Sequence, residues 1–116
     1  NKERLKLVPI DDQNDANGKG PVAPSPETVR NGTYRPLSRP LFLYVTEKAL
    51  SRPEIKAFVE FHLDQGPALV SEVGYVPLTD REQQLVTERY HSRTTGTLYA
   101  NGEASATPLE QLLAGR

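Results

Sequence analysis

The side chains in this sequence that could do chemistry are two histidines, a set of scattered serines and 15 acidic residues. A serine nucleophile needs a tight, glycine-flanked elbow and a positioned base. Ser25, Ser38, Ser51, Ser71, Ser92 and Ser105 all lack that context. Glu82 with Glu88, or Asp11 with Asp12, could be named as acid/base pairs, but such pairs occur in any chain of this composition. His62 falls on the apolar stripe of a helix, and the expectation is a buried imidazole bonded to a carbonyl or carboxylate. His91 follows Tyr90 near a helix end, where a cation suits the dipole. No carboxylate is spaced to complete a metal motif with either histidine. The stretch Gln13-Asn14-Asp15-Ala16-Asn17-Gly18 has the flavour of a calcium loop, which wants Asp first and Glu twelfth. Gln13 and Pro24 stand there instead, so a solvated, turn-rich loop is the expectation.

Other site classes fall away on composition. The chain has no Cys, hence no thiol nucleophile and no thiolate metal site. No glycine-rich phosphate loop occurs. Asn31-Gly32-Thr33 fits the glycosylation pattern, yet Gly32 has sufficient reason as a helix stop. The helix start at Ser25–Glu27 would have free N–H groups for an anion, but Ser25 and Glu27 already satisfy and neutralise it. The expectation is therefore no catalytic residue, no metal ligand and no cofactor, and a protein that is not an enzyme. With 14 Lys+Arg against 15 Asp+Glu, there is no electrostatic reason to expect nucleic acid or an acidic membrane surface as partner. No apolar run approaches the roughly 18 residues of a membrane span. The absence of Met reads as a chain processed or cut from something longer.

The elements that would position any site are short. Leu5–Val8 alternates weakly and reads as a strand halted by Pro9. Residues 11–24 form a long polar loop, of a length that is usually functional or mobile. Ser25-Pro26-Glu27 starts a brief helix that Asn31-Gly32 ends. Tyr34–Pro40 is expected to be extended, because Pro36 and Pro40 hold their predecessors out of the α region. Leu41-Phe42-Leu43-Tyr44-Val45 is the most apolar run and reads as a strand buried on both faces. Ser51-Arg52-Pro53-Glu54 reads as a capping box opening a helix with Ile55, Phe58, Val59, His62 and Leu63 on one stripe. Gly66-Pro67 is expected to stop it and start a second short helix that Gly74 ends. After a short extended piece at Tyr75–Leu78, Thr79-Asp80-Arg81-Glu82 opens another helix with a second capping box. A polar loop follows, then a third box, Thr107-Pro108-Leu109-Glu110, opens a final turn that Gly115 could close. The expected class is α/β: a small sheet covered by helices. Such a sheet leaves edges open, which is the physical argument for a fragment.

Two of these segments carry a resemblance. Asn31 to Val45 resembles the "NGTYxPLSRPLFxYV" stretch of the periplasmic phosphate-binding protein of bacterial ABC transporters, in its C-terminal part. Val73-Gly74-Tyr75-Val76-Pro77-Leu78 resembles that family's "VGYVPL" stretch. Ile55–Phe61 sits where the family has an "xFVxFxL" helix, and Pro24–Val29 is similar to the stretch upstream. The ending, Thr95-Gly96-Thr97 and Leu109–Leu113, is similar to cyanobacterial members. The first two segments are long and specific; the tail is weaker.

The resemblance implies a type 2 periplasmic-binding-protein fold: two α/β lobes joined by crossover strands, closing on inorganic phosphate and delivering it to a membrane permease. It implies residues 1–35 as the end of the second lobe, with a mobile loop at 11–24. It implies 36–45 as an extended crossover or hinge, and 46–116 as C-terminal helices returning to the first lobe. The family's phosphate ligands lie in earlier segments: a Thr-Phe turn, a Ser, an Asp, and an Arg before a Ser-Gly-Thr helix start. None is present, and Thr95-Gly96-Thr97 is not that motif. No phosphate-binding residue is therefore expected in this chain, which would be scaffold and hinge, periplasmic, and unable to bind phosphate alone. Two alternatives from other classes are a self-standing protein-interaction module using a loop or strand edge, and a small hydrolase, which lacks a credible nucleophile. Self-association through Leu41–Val45 would be a fragment's natural artefact.

Overall fold

A computed structural model describes residues 3–15, 18–99 and 108–115. Five helices follow in order: α1 (Pro26–Arg30), α2 (Glu47–Leu50), α3 (Pro53–Glu72), α4 (Asp80–His91) and α5 (Leu109–Ala114). The expected α/β class is not what forms. Among the described residues the only β pairing is an isolated antiparallel bridge between Ile10 and Val22. Leu5–Val8 and Leu41–Val45 lie outside any ladder, and their large side chains stay exposed: Leu41 and Tyr44 are each 76% accessible. The physical reason is the one the short elements foreshadow. A strand needs partners for both rows of main-chain groups, and the described residues supply none to either segment.

The helix starts follow local chemistry. Ser25 caps α1: its Oγ accepts from the Thr28 N–H at 3.1 Å, while the Ser25 N–H donates to Thr28 Oγ1 at 2.9 Å. Thr28 thus completes a reciprocal capping box. Asn31 ends α1, and Gly32 follows at φ +74°. Thr79 and Glu82 form the expected reciprocal box at the start of α4. Thr107, the expected cap of α5, lies outside the described residues; Pro108 is the N-cap residue.

Three local expectations fail. Ser51 does not cap α3. It ends α2, its Oγ donating to the Lys48 carbonyl at 2.8 Å, and Arg52 is the N-cap residue at φ −85°, ψ 123°. A Ser51 cap would make Arg52 helical directly before Pro53, which proline's ring disfavours. The short helix α2 was not foreseen, although Thr46 before Glu47 marks its start, with Thr46 Oγ1 accepting from the Ala49 N–H at 3.2 Å. Tyr34–Leu37 is a turn rather than extended chain; the Ser38 N–H donates to the Tyr34 carbonyl at 3.3 Å, and the Arg35–Pro36 peptide is cis.

The third failure is the most instructive. Helix α3 does not stop at Gly66-Pro67; it runs through Pro67 for 20 residues. Proline has no N–H, so the carbonyl four residues back loses its helical donor. That carbonyl is Leu63's, and Gln83 Nε2 from α4 donates to it at 2.7 Å. A neighbouring helix supplies the donor that the proline removes.

The core is small. Val59, Leu85 and Leu113 are the buried hydrophobic residues among those described. Helix α5 packs on α4, and α2 on α3. Helices α3 and α4 meet through Gln83 and through the Tyr90 hydroxyl, which donates to Glu60 at 3.4 Å. The radius of gyration is 16.4 Å, against the roughly 13 Å of a compact domain of this length.

Candidate functional site

The residues singled out for chemistry are spread across the molecule and mostly occupied with holding local structure. Asp11 accepts from the Gln13 N–H at 2.8 Å and Asp12 from the Asn14 N–H at 3.1 Å. These are turn-building carboxylates rather than an acid/base pair. Glu82 caps α4, and Glu88 accepts from Gln84 Nε2 at 2.8 Å. Asn31 Oδ1 accepts from Thr33 Oγ1 at 2.7 Å. Ser92 ends α4, its Oγ donating to the Arg89 carbonyl at 3.2 Å. Ser105, Ala16 and Asn17 lie outside the described residues.

His62 is exposed on α3, beside the Phe58 ring at 6.2 Å between centroids, which corrects the expectation of a buried, bonded imidazole. Only part of that stripe is covered: Val59 is buried and Ile55 and Leu63 are half-buried, while Phe58 and His62 stay exposed. His91 closes α4 beside the Tyr90 ring at 5.3 Å. The described residues contain no cluster of three or more His, Asp or Glu side chains fit for a metal ion.

Two open clefts flank α4. One, of about 400 Å³, lies against α3 and is lined by Glu60, Leu63, Pro67, Gln83, Tyr90 and His91 among others. Gln83 is already committed to Leu63 there. The other, of about 380 Å³, lies against α5 and includes Arg81 and Arg89. Arg89 Nη2 donates to the carbonyls of Thr95 and Gly96 at 3.2 and 2.8 Å, and Arg81 Nη1 to Gln84 at 3.1 Å. The two guanidinium groups thus brace the chain itself. No nucleophile, base and oxyanion donor converge in either cleft.

What stands out is apolar surface. Leu41, Phe42, Leu43 and Tyr44 are exposed, as are Phe58, Phe61 and Leu69 on α3 and Val73 at its C-cap. The Phe42 and Tyr99 rings pack edge to face, with centroids 5.2 Å apart. Among the described residues, no backbone–backbone hydrogen bond involves Leu41 to Val45.

Comparison with known proteins gives this surface a context. The chain is 40% identical over 113 residues to Protein SphX of Synechococcus elongatus, and 37% identical over 110 residues to Protein SphX of Synechocystis. It is 39% identical over 82 residues, or 70% of its length, to the phosphate-binding protein PstS of Staphylococcus aureus. The resemblance to phosphate-binding proteins is upheld. The chain spans about a third of the length of either SphX protein, 32% and 31%, and 24% of PstS. No family model and no solved structure matches it.

Proposed function

We propose that this chain corresponds to the C-terminal part of a periplasmic solute-binding protein that serves inorganic phosphate uptake through an ABC transporter. The observation that carries the reading is 40% identity to SphX along 97% of the chain, joined by the match to the phosphate-binding protein PstS. In this reading residues 1–35 end one lobe, 36–45 connect the lobes, and 46–116 return to the other. The chain contributes framework and hinge, while the phosphate ligands and the contact with the membrane permease belong to the intact protein. The exposed apolar side chains at 41–44 and on α3 support it, since surface of this kind usually marks an interaction site.

The reading predicts that the chain alone does not bind phosphate. A ligand that binds only the folded state raises stability by RT ln(1 + [L]/Kd). A melting scan with and without millimolar phosphate, with sulfate as control, is expected to show one cooperative transition that neither anion moves. A rise specific to phosphate would place a site within these residues and sink the claim of a chain without its ligands.

A further inference from the structure

The stretch after α4 folds back on that helix. In the last turn of α4, Arg89 Nη2 donates to the carbonyls of Thr95 and Gly96, at 3.2 and 2.8 Å, and the Thr94 N–H donates to the Arg89 carbonyl at 3.2 Å. Further along, the Tyr99 N–H donates to Thr97 Oγ1 at 3.3 Å. Desolvation, and after it the negative charge of Glu82 in the first turn of α4, raise the pKa of the Tyr99 hydroxyl. Residues 94–99 thus run from the last turn of α4 towards its first. There the Tyr99 ring meets Phe42, edge to face at 68°. Phe42 is the least exposed of its run, at 45%, against 76% for Leu41 and Tyr44 on either side. No backbone–backbone hydrogen bond orders residues 41–45 among those described, so their order falls to side chains.

We propose that Tyr99 is a clasp on the connector: its ring ties Phe42 to α4, so that residues 42–45 move with the C-terminal helices and bending is confined to residues 39–41. The inference rests on the reading of 36–45 as the connection between lobes. Edge-to-face aromatic pairs at this separation attract beyond the area they bury. On the far side of the bend, the Ser38 N–H holds the Tyr34 carbonyl at 3.3 Å, which fixes the turn before it. Beyond the clasp, the Thr46 cap fixes the start of α2. Between turn and clasp stand Arg39, Pro40 and Leu41. Proline locks φ at Pro40, so most of the rotation falls to Arg39 and Leu41. Both are exposed, and a hinge needs only a few such positions to absorb the change in backbone angles.

Amide relaxation by NMR on this chain tests the clasp. Order parameters of about 0.8 are expected across residues 42–45, with values below about 0.6 at Arg39 and Leu41. Tyr99→Ala should drop residues 42–45 below about 0.6 while the amides of α4 keep their values. Tyr99→Phe, which keeps the ring and loses only the hydroxyl, should restore them. Phe42→Leu removes the ring from the connector, leaves residues 94–99 unaltered, and should release residues 42–45 equally. The proposal is overturned by equal mobility from Arg39 to Val45 in the unaltered chain, by residues 42–45 indifferent to Tyr99→Ala or Phe42→Leu, or by a release that Tyr99→Phe does not prevent. None of those results touches the phosphate-binding-protein reading. Conversely, a phosphate-specific rise in the melt would count against that reading and leave these order parameters where they are.

Discussion

Pro67 removes a donor from the middle of α3, and Gln83 restores one from another helix. This coupling is the most testable contact in the molecule. Gln83→Ala should cost about 1 kcal/mol, the value of a hydrogen bond to a half-buried carbonyl. Pro67→Ala returns an N–H to α3, so in that background the same Gln83→Ala should cost almost nothing. A double-mutant cycle in denaturant reads the difference; equal costs in both backgrounds would mean that the Gln83 bond does not compensate for proline. The side-chain roles were partly legible in the sequence. Thr79 and Glu82 announce a reciprocal cap because both partners lie three residues apart. Gln83 announces nothing, because its partner is set by how two helices cross. The exposure of His62 is hidden from the sequence for a related reason: helical period shows that a stripe is apolar, and says nothing about which part of it is covered.

At the level of single elements, α4 depends on its first turn. The Thr79 hydroxyl accepts from the Glu82 N–H at 3.2 Å, and Glu82 Oε2 accepts from the Thr79 N–H at 2.8 Å. Thr79→Ala should cost about 1 kcal/mol and fray residues 80–83, seen as faster amide exchange there with the rest of α4 unchanged. Thr79→Ser should retain most of the stability. The start of α3 shows where such signals mislead. Ser51-Arg52-Pro53-Glu54 satisfies the pattern of a capping box, but the residue before proline is kept out of the helix, and that steric rule outranks the hydrogen bond on offer. Helix α2 occupies the preceding residues, so Ser51 serves its end instead. The stop expected at Gly66-Pro67 failed because the cost of interior proline falls when another helix pairs the stranded carbonyl.

Over the whole molecule, three buried hydrophobic residues carry the packing among those described. Leu113 joins the short α5 to Leu85 on α4 across their shared cleft. Leu113→Ala should destabilise by about 2 to 5 kcal/mol and detach α5, measured as a lowered melting temperature with lost helical signal. Alkaline pH should act through Tyr99. Desolvation, and secondarily the negative charge of Glu82, raise its pKa above the ordinary 10.0. A raised pKa means that the folded state holds its proton longer than the unfolded state does. The stability linked to Tyr99 is therefore fully present below pH 10.0 and declines as pH rises above it. Tyr99→Phe should flatten that alkaline decline while leaving neutral-pH stability nearly unchanged. The helices at this scale were largely legible from caps and periodicity. The expected sheet does not form, because Leu41–Val45 has the composition of a central strand but no strand beside it among the described residues. Apolar character tells what a segment would bury and leaves open whether the same chain provides the cover.

The bridge between Ile10 and Val22 has a use of its own. Two mutual hydrogen bonds, at 2.9 and 2.8 Å, hold these residues side by side. The bridge brings the two ends of the intervening segment together without help from the helices. Doubling such a loop costs only about 0.6 kcal/mol in closure entropy. A tag, a fluorescent domain or an affinity peptide spliced between Asp12 and Lys19 would thus leave its two ends where the chain already joins them, giving a port for labelling that the helical part of the molecule would not register.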